Sequence, residues 1–204
     1  MAFRDLIYEV FKIKIMQQIS QNLYVLTPQD QWDGSLDGCI KIFLSGSVDL
    51  GKPVGWQEKF INGLTKLSDP VSGDERFKSK SFCVLNPKMA VNNPSPTLDN
   101  QEFCNKIHWE HQMMGLADIV FCNFMKKSQA PSAIYGLLLN AQAQGKTIVR
   151  CPLEYSRYPL VKLVTESYQI PLLGDTGSVV DVMNLAFERC EKFQVNTEFG
   201  LGEE

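Results

Sequence analysis

Two strand-like apolar runs that end in small or polar residues constrain this chain most. One is Lys41–Asp49 (KIFLSGSVD) and the other is Ala117–Asn123 (ADIVFCN). In open α/β sheets, ligands bind beyond the carboxyl ends of strands of this kind. Gly46 has no Cβ, so the backbone there can approach a ligand closely. The two runs therefore predict a small-molecule site on a Rossmann-like sheet.

Strand-like and helix-like segments alternate along most of the chain. Apolar runs at 40–44, 81–85, 119–124, 147–151 and 170–173 predict strands, 22–27 is a further short strand candidate, and helical spacing is found at 56–67, 101–116, 132–144, 158–168 and 179–193. This alternation predicts a parallel sheet with right-handed crossovers. The expected fold class is α/β, a Rossmann- or flavodoxin-like three-layer sandwich with a mostly parallel central sheet of about five strands.

The chain of 204 residues is predicted to form one domain. Residues 1–21 are interpreted as an N-terminal helical extension, 22–193 as a single α/β domain and 194–204 as a flexible tail. Apolar side chains spaced through 1–20, such as Phe3, Leu6 and Val10, predict an amphipathic helix. We expect that helix to pack on the domain rather than to anchor it to a membrane.

Composition and charge exclude several classes of function. The net charge of −3 and the absence of a basic block argue against binding to a nucleic-acid polymer. The six cysteines form no Cys-x-x-Cys pair, and no apolar run reaches the length of a membrane span, which together predict a reduced cytoplasmic protein. His108 and His111 do not form a His-Glu-x-x-His motif, so no metal site is predicted.

Five short motifs follow one another in a recognisable order. They are Ile42–Ser47 with Trp56-Gln57 after it, Leu85-Asn-Pro87, Trp109-Glu110, Ala117-Asp118, and Gln144–Lys146 before a strand. In this set the chain resembles the nucleoside 2-deoxyribosyltransferase-like superfamily, especially its phage- and plasmid-type branch, over roughly residues 22–175. The resemblance implies a flavodoxin- or Rossmann-like fold that cleaves or exchanges the N-glycosidic bond of nucleosides or nucleotides without a metal or cofactor. It also implies a homo-oligomer.

The resemblance assigns catalytic roles to carboxylates. One carboxylate acts as the nucleophile and another handles protons at the base, in the logic of glycoside cleavage. Asp118 matches the family's Asp at the start of a strand, and Glu110 is the second catalytic candidate. The nucleophile's position falls on Leu137, and residues 119–150 contain no carboxylate at all. The loop before that helix carries Lys126-Lys127 instead of acidic residues, which suits an anionic ligand.

Eight further residues are candidates for ligand binding through strand ends, polar side chains or aromatic stacking. They are Ser45, Gly46, Ser47, Asp49, Trp56, Asn86, Asn123 and Tyr135. The segment Ser45–Ser47 could cradle a phosphate or ribose through backbone N–H groups, or could be a tight turn. Trp56 and Tyr135 could equally be core residues, and Glu110 could belong to a structural salt bridge.

Three functions stay open at this point. The favoured interpretation is a degenerate family member that binds a nucleoside, a nucleotide or a nucleotide-derived signal without the standard catalysis. The second is an active N-glycosidic-bond transferase or hydrolase in which Asp118 serves as acid or base. The third is a protein-interaction module that uses the N-terminal helix.

Overall fold

The computed structural model describes residues 14–31, 38–47, 55–88, 97–128, 131–142 and 145–190. In chain order the elements are β1 (Lys14–Ile15), β2 (Gln17–Ser20), β3 (Leu23–Leu26), β4 (Asp30–Gln31), β5 (Ile40–Gly46), α1 (Trp56–Leu67), β6 (Phe82–Leu85), α2 (Gln101–Leu116), β7 (Ile119–Asn123), α3 (Pro131–Asn140), β8 (Thr147–Arg150), α4 (Tyr158–Ser167), β9 (Leu172–Leu173) and α5 (Val179–Arg189).

The main sheet has seven strands in the order β2-β3-β6-β5-β7-β8-β9. All of its neighbouring strands run parallel except β2, which is antiparallel to β3. The run β6-β5-β7-β8-β9 has the flavodoxin-like order, in which the strand order reverses between β5 and β7. The predicted fold class is confirmed, and the strand candidate at 22–27 is β3. The sheet has seven strands rather than about five, because β3 and the unpredicted β2 extend one edge.

The predicted helix over residues 1–20 is wrong where the structure describes it. Residues Lys14–Ile15 and Gln17–Ser20 are strands, and β2 pairs with β3 so that Gln17 lies opposite Val25. The physical reason is that an edge strand such as β3 offers unpaired N–H and C=O groups to a neighbouring segment. Residues 17–20 therefore belong to the sheet and not to a separate extension. The rest of that segment, 1–13, and the predicted tail, 194–204, lie outside the described residues.

The two faces of the sheet are covered by different helices. Along β5, Ile42 and Leu44 point to the face covered by α1 and α5, whereas Phe43 points to the face covered by α2, α3 and α4. This alternation follows from the two-residue period of a strand. The result is a three-layer sandwich with an apolar core on each side of the sheet. No helix in the described ranges is long and apolar enough to cross a membrane.

Candidate functional site

Gly46 ends β5 at the point where the strand order reverses. A Cβ on this residue would lie 2.5 Å from the carbonyl oxygen of Asn123 and 2.6 Å from Cζ2 of Trp56. Both distances are far below van der Waals contact, so no larger residue fits without displacing its neighbours. From the sequence, we expected a glycine here because a ligand approaches the backbone closely. In the structure, a glycine is required because the indole ring and the neighbouring strand approach it closely.

The two serines beside this glycine are buried and are used inside the protein. The N–H of Ser47 donates to the carbonyl oxygen of Asn123 at 2.9 Å, and its hydroxyl accepts the N–H of Met125 at 3.0 Å. The Ser45 hydroxyl faces α3, where a Cβ on Gly136 would lie 2.7 Å from it. The predicted phosphate cradle of free N–H groups is therefore wrong for Ser47, because β7 already accepts its N–H.

A cavity of about 510 Å³ lies on the α1 and α5 side of this edge. Its lining comprises Trp56, Lys59, Phe60, Phe121, Asn123, Met125, Arg150, Gly177, Ser178, Val179 and Val182. The volume falls within the usual range of small-molecule sites, about 300–1,000 Å³. Of the predicted ligand-binding residues, Trp56 and Asn123 meet here. The cavity also lies where doubly wound sheets bind their ligands, beyond the carboxyl ends of the strands.

Trp56 forms part of the cavity wall and also anchors it. Its indole N–H donates to the carbonyl oxygen of Ser47 at 2.7 Å, which fixes the start of α1 against the end of β5. Its ring meets Phe121 edge to face at 5.8 Å, and Phe121 stacks on Phe60 at 5.3 Å between ring centroids. The sequence left open whether Trp56 lines a pocket or belongs to the core. In the structure it lines the cavity and also packs against core residues. The three rings supply an apolar wall of the kind on which a planar ligand can stack.

Arg150 and Lys59 are the cationic residues of the described cavity lining, and sequence reasoning missed both. Arg150 is the last residue of β8 and lies directly opposite Asn123 of β7. One guanidinium nitrogen donates to the Asn123 side-chain oxygen at 3.1 Å, and the other donates to the Asp175 carbonyl oxygen at 2.6 Å. The signal was present in the sequence, because an arginine that closes an apolar parallel strand lies at the ligand edge of the sheet.

The basic loop that follows β7 does not present both lysines to a ligand. The ammonium group of Lys126 contacts Glu154 at 3.0 Å and Asp175 at 2.8 Å. These two carboxylates raise the pKa of Lys126, chiefly through its hydrogen bond with Asp175. The expectation that this loop offers free positive charge is therefore wrong for Lys126, whose charge is balanced within the protein. Lys127 is exposed.

Asp118 lies at the amino ends of the strands, whereas the cavity lies beyond their carboxyl ends. It precedes β7, and its carboxylate accepts the N–H of Lys41 at 2.8 Å while its own N–H donates to the Lys41 carbonyl at 2.9 Å. Five residues of β7 separate it from the strand end, a distance of about 15 Å at the usual rise of a strand. The carboxylate therefore clamps the amino ends of β5 and β7, and the catalytic role that the resemblance implies for Asp118 stays a prediction.

Of the remaining candidates, one lies at the carboxyl ends of the strands and two lie on helices of the sheet face that α2, α3 and α4 cover. Asn86 follows β6 at the same carboxyl edge, where its side-chain oxygen accepts the Lys88 N–H at 3.1 Å, in a turn. Glu110 on α2 forms an ion pair with Lys106, and both side chains are 14% exposed. Tyr135 on α3 is half exposed and contacts the ring of His111 at 5.5 Å. Asp49 lies outside the described residues.

Leu137, at the position that the resemblance gives to the nucleophile, is 1% exposed and belongs to the apolar core under α3. Cys122 lies in the same core, and burial raises the pKa of its thiol to about 12. It therefore lacks the thiolate character of a nucleophile. Among the described residues, no cluster of three His, Cys, Asp or Glu side chains could hold a metal ion.

Comparison with known proteins agrees with this architecture. The family model described as nucleoside 2-deoxyribosyltransferase like matches residues 39–155, which is more than half of the 204-residue chain. The match begins just before β5 and ends beyond β8, so it contains the strand reversal and most of the cavity lining. A search of curated proteins found no significant match. The chain belongs to the nucleoside 2-deoxyribosyltransferase-like family.

Proposed function

We propose that this protein binds a nucleoside or nucleotide in the cavity beside β7 and β8, without the glycosyl transfer that a carboxylate nucleophile would perform. Three features support binding: the family, the position of the cavity at the strand reversal and its aromatic wall. Nucleobases of every type stack on aromatic side chains. In proteins that bind single-stranded nucleic acids, each stacked base contributes about 1–3 kcal/mol of binding free energy. Asn123 adds a polar side chain that can orient the ligand.

The observation that carries the proposal is the burial of Leu137. A leucine cannot form a glycosyl ester, and this one is packed in the core rather than facing a cavity. The described residues that line the cavity also include no Asp or Glu. Covalent glycosyl transfer needs such a carboxylate at the anomeric carbon. A site with aromatic and cationic lining but no nucleophile suits retention of a ligand rather than its cleavage.

The test is a calorimetric titration with a panel of deoxynucleosides and their 5′-monophosphates, followed by chromatography of the same samples. The expected result is saturable binding and no free base. Trp56→Leu should weaken binding because it removes part of the aromatic wall, whereas Trp109→Leu is the matched control on the other face of the sheet, where its ring lies 6.3 Å from Phe43. Release or exchange of base would overturn the non-catalytic part of the proposal. Absence of binding to every member of the panel would overturn all of it.

A second function, hydrolysis of the N-glycosidic bond, is favoured by one observation. Glu110 is a shielded carboxylate, 14% exposed, and it is the Glu of the Trp109-Glu110 motif on α2. Such a carboxylate can take a proton from water as the water oxygen bonds to the anomeric carbon and the base departs with the bonding electron pair. In that case Glu110→Gln abolishes base release, while Glu102→Gln, an exposed change on the same helix, does not. Equal rates in the two variants would exclude this role.

The predicted homo-oligomer and the cytoplasmic location stay predictions, because no partner chain or cellular context tests them. The interaction-module hypothesis has lost part of its basis, since the described portion of the supposed helix, Gln17–Ser20, is a strand of the main sheet.

A further inference from the structure

We propose that the cavity selects a phosphorylated ligand, a nucleoside monophosphate, and that Arg150 and Lys59 bind its phosphate group. This inference rests on the proposed function, because it assigns one part of the same ligand. It concerns residues that neither the sequence motifs nor the family match singles out.

The first support is the balance of charge around the cavity. The described lining holds two cations, Lys59 from α1 and Arg150 from β8, and no carboxylate. The nearest acidic partner of Arg150 is Asp175, whose carboxylate lies 3.8 Å from the guanidinium and at 2.8 Å from Lys126. Glu154 also contacts Lys126, so Lys126, Arg150, Glu154 and Asp175 together carry no net charge. Lys59 has no ion pair among the described residues, and its charge is the one left unbalanced in the described lining. The cavity keeps positive charge that an anion can neutralise.

The second support is the hydrogen bonding of Arg150. Its two terminal nitrogens donate to Asn123 and Asp175, which hold the guanidinium plane in a fixed orientation. Its Nε is buried and has no partner among the described residues. A buried donor without a partner costs about 1–3 kcal/mol, so Nε has unused hydrogen-bonding capacity, while the 27% of the Arg150 side chain that is exposed is the part that a ligand can contact. Guanidinium groups present planar forks of donors that match phosphate oxygens.

The third support is that aromatic and cationic side chains line the same cavity. Trp56, Phe60 and Phe121 form the apolar wall, and Arg150 and Lys59 add cationic groups to the lining of the same cavity of about 510 Å³. A nucleoside monophosphate combines a planar apolar group with a dianion in one molecule. Inorganic phosphate would use the cations alone and leave the apolar wall unfilled.

The test compares three probes by calorimetry: a deoxynucleoside, its 5′-monophosphate and inorganic phosphate. The monophosphate should bind at least about tenfold more tightly than the deoxynucleoside, as expected of a charge-assisted hydrogen bond. Lys59→Gln and Arg150→Gln should each lower the affinity for the monophosphate by about ten- to hundredfold, and each should cost more affinity for the monophosphate than for the deoxynucleoside. Lys66→Gln is the matched control, an exposed lysine on the same helix that does not line the cavity.

The outcomes separate this inference from the function on which it rests. Equal affinities for the deoxynucleoside and the monophosphate, or equal losses for both in Lys59→Gln, overturn the phosphate assignment and leave nucleoside binding standing. Binding of inorganic phosphate without either nucleoside probe overturns both. Because Arg150→Gln also removes two internal hydrogen bonds, Lys59→Gln keeps the inference falsifiable if the arginine variant fails to fold.

Discussion

Replacing Leu137 with Glu tests whether the position that the resemblance gives to the nucleophile is closed in this protein. Leu137 is 1% exposed and packs within the core under α3. Loss of a buried leucine costs about 1.5–3 kcal/mol of transfer free energy. The carboxylate adds a second cost, because burial raises the pKa of a glutamic acid to about 8–9 in documented cases. A rise of about four pKa units over the unfolded chain is worth about 5 kcal/mol.

The sign of the pH dependence follows from where the proton is held. With the pKa raised in the folded state, the native protein binds more protons than the unfolded chain at pH values between the two pKa values. The free energy of unfolding therefore falls as the pH rises through that window, by about 1.4 kcal/mol per pH unit. Below the unfolded pKa of about 4.3 the ionisation penalty vanishes. Above the folded pKa the full penalty applies, and it is comparable with the whole stability of a domain, about 5–15 kcal/mol.

The assay is urea unfolding of the wild type, Leu137→Glu and Leu137→Gln across a pH series from about 4.5 to about 8. The Gln variant is the control, because it has nearly the same shape and cannot ionise. The difference between the Glu and Gln variants should grow steadily with pH. If the two variants unfold at the same urea concentration at every pH, the introduced carboxylate reaches water, the position is open, and the argument from burial fails.

Three other substitutions or reactions test separate parts of the structure. Gly46→Ala should cost about 1–3 kcal/mol in urea unfolding, because its Cβ would collide with Trp56. Asp118→Ala should cost about 1–3 kcal/mol by leaving the Lys41 N–H without its acceptor, and calorimetry should show unchanged ligand affinity. Cys122, with a thiol pKa of about 12, should resist alkylation at about pH 8 in the native protein and react in urea, as followed by peptide mass spectrometry.

The sequence predicted those elements whose periodicity is strong and local. The run Ile40–Leu44 is apolar except for Lys41 because both faces of a central parallel strand are covered, and this pattern predicted β5. The spacing of Trp56, Phe60 and Leu64 likewise predicted α1, whose apolar side packs on the sheet. Residues 14–20 were misassigned because short apolar spacing does not distinguish a helix from a strand that joins a sheet edge.

The candidate site was predictable in location but not in composition. The carboxyl ends of β5 and β7 were identified from Gly46 and Asn123, and the structure places both at the strand reversal. Asp118 was expected at the start of the strand that Asn123 ends, and the structure has both there, but the hydrogen bond of its carboxylate to the Lys41 N–H depends on the pairing of β5 with β7. The position of Arg150 at the carboxyl edge could be read from the end of the run 147–150, but its hydrogen bond to Asn123 depends on the pairing of β7 with β8, which only the fold defines.

The close packing of α3 on β5 also limits what a substitution at position 137 can achieve. Gly136 leaves no room between the helix and the Ser45 hydroxyl, which a Cβ would approach to 2.7 Å. Its neighbour Leu137 lies in the core, so a carboxylate at position 137 would reach a ligand only if α3 moved away from β5. A change of residue alone would leave that carboxylate buried. The packing of the helix, more than the type of residue, therefore keeps position 137 out of contact with a ligand.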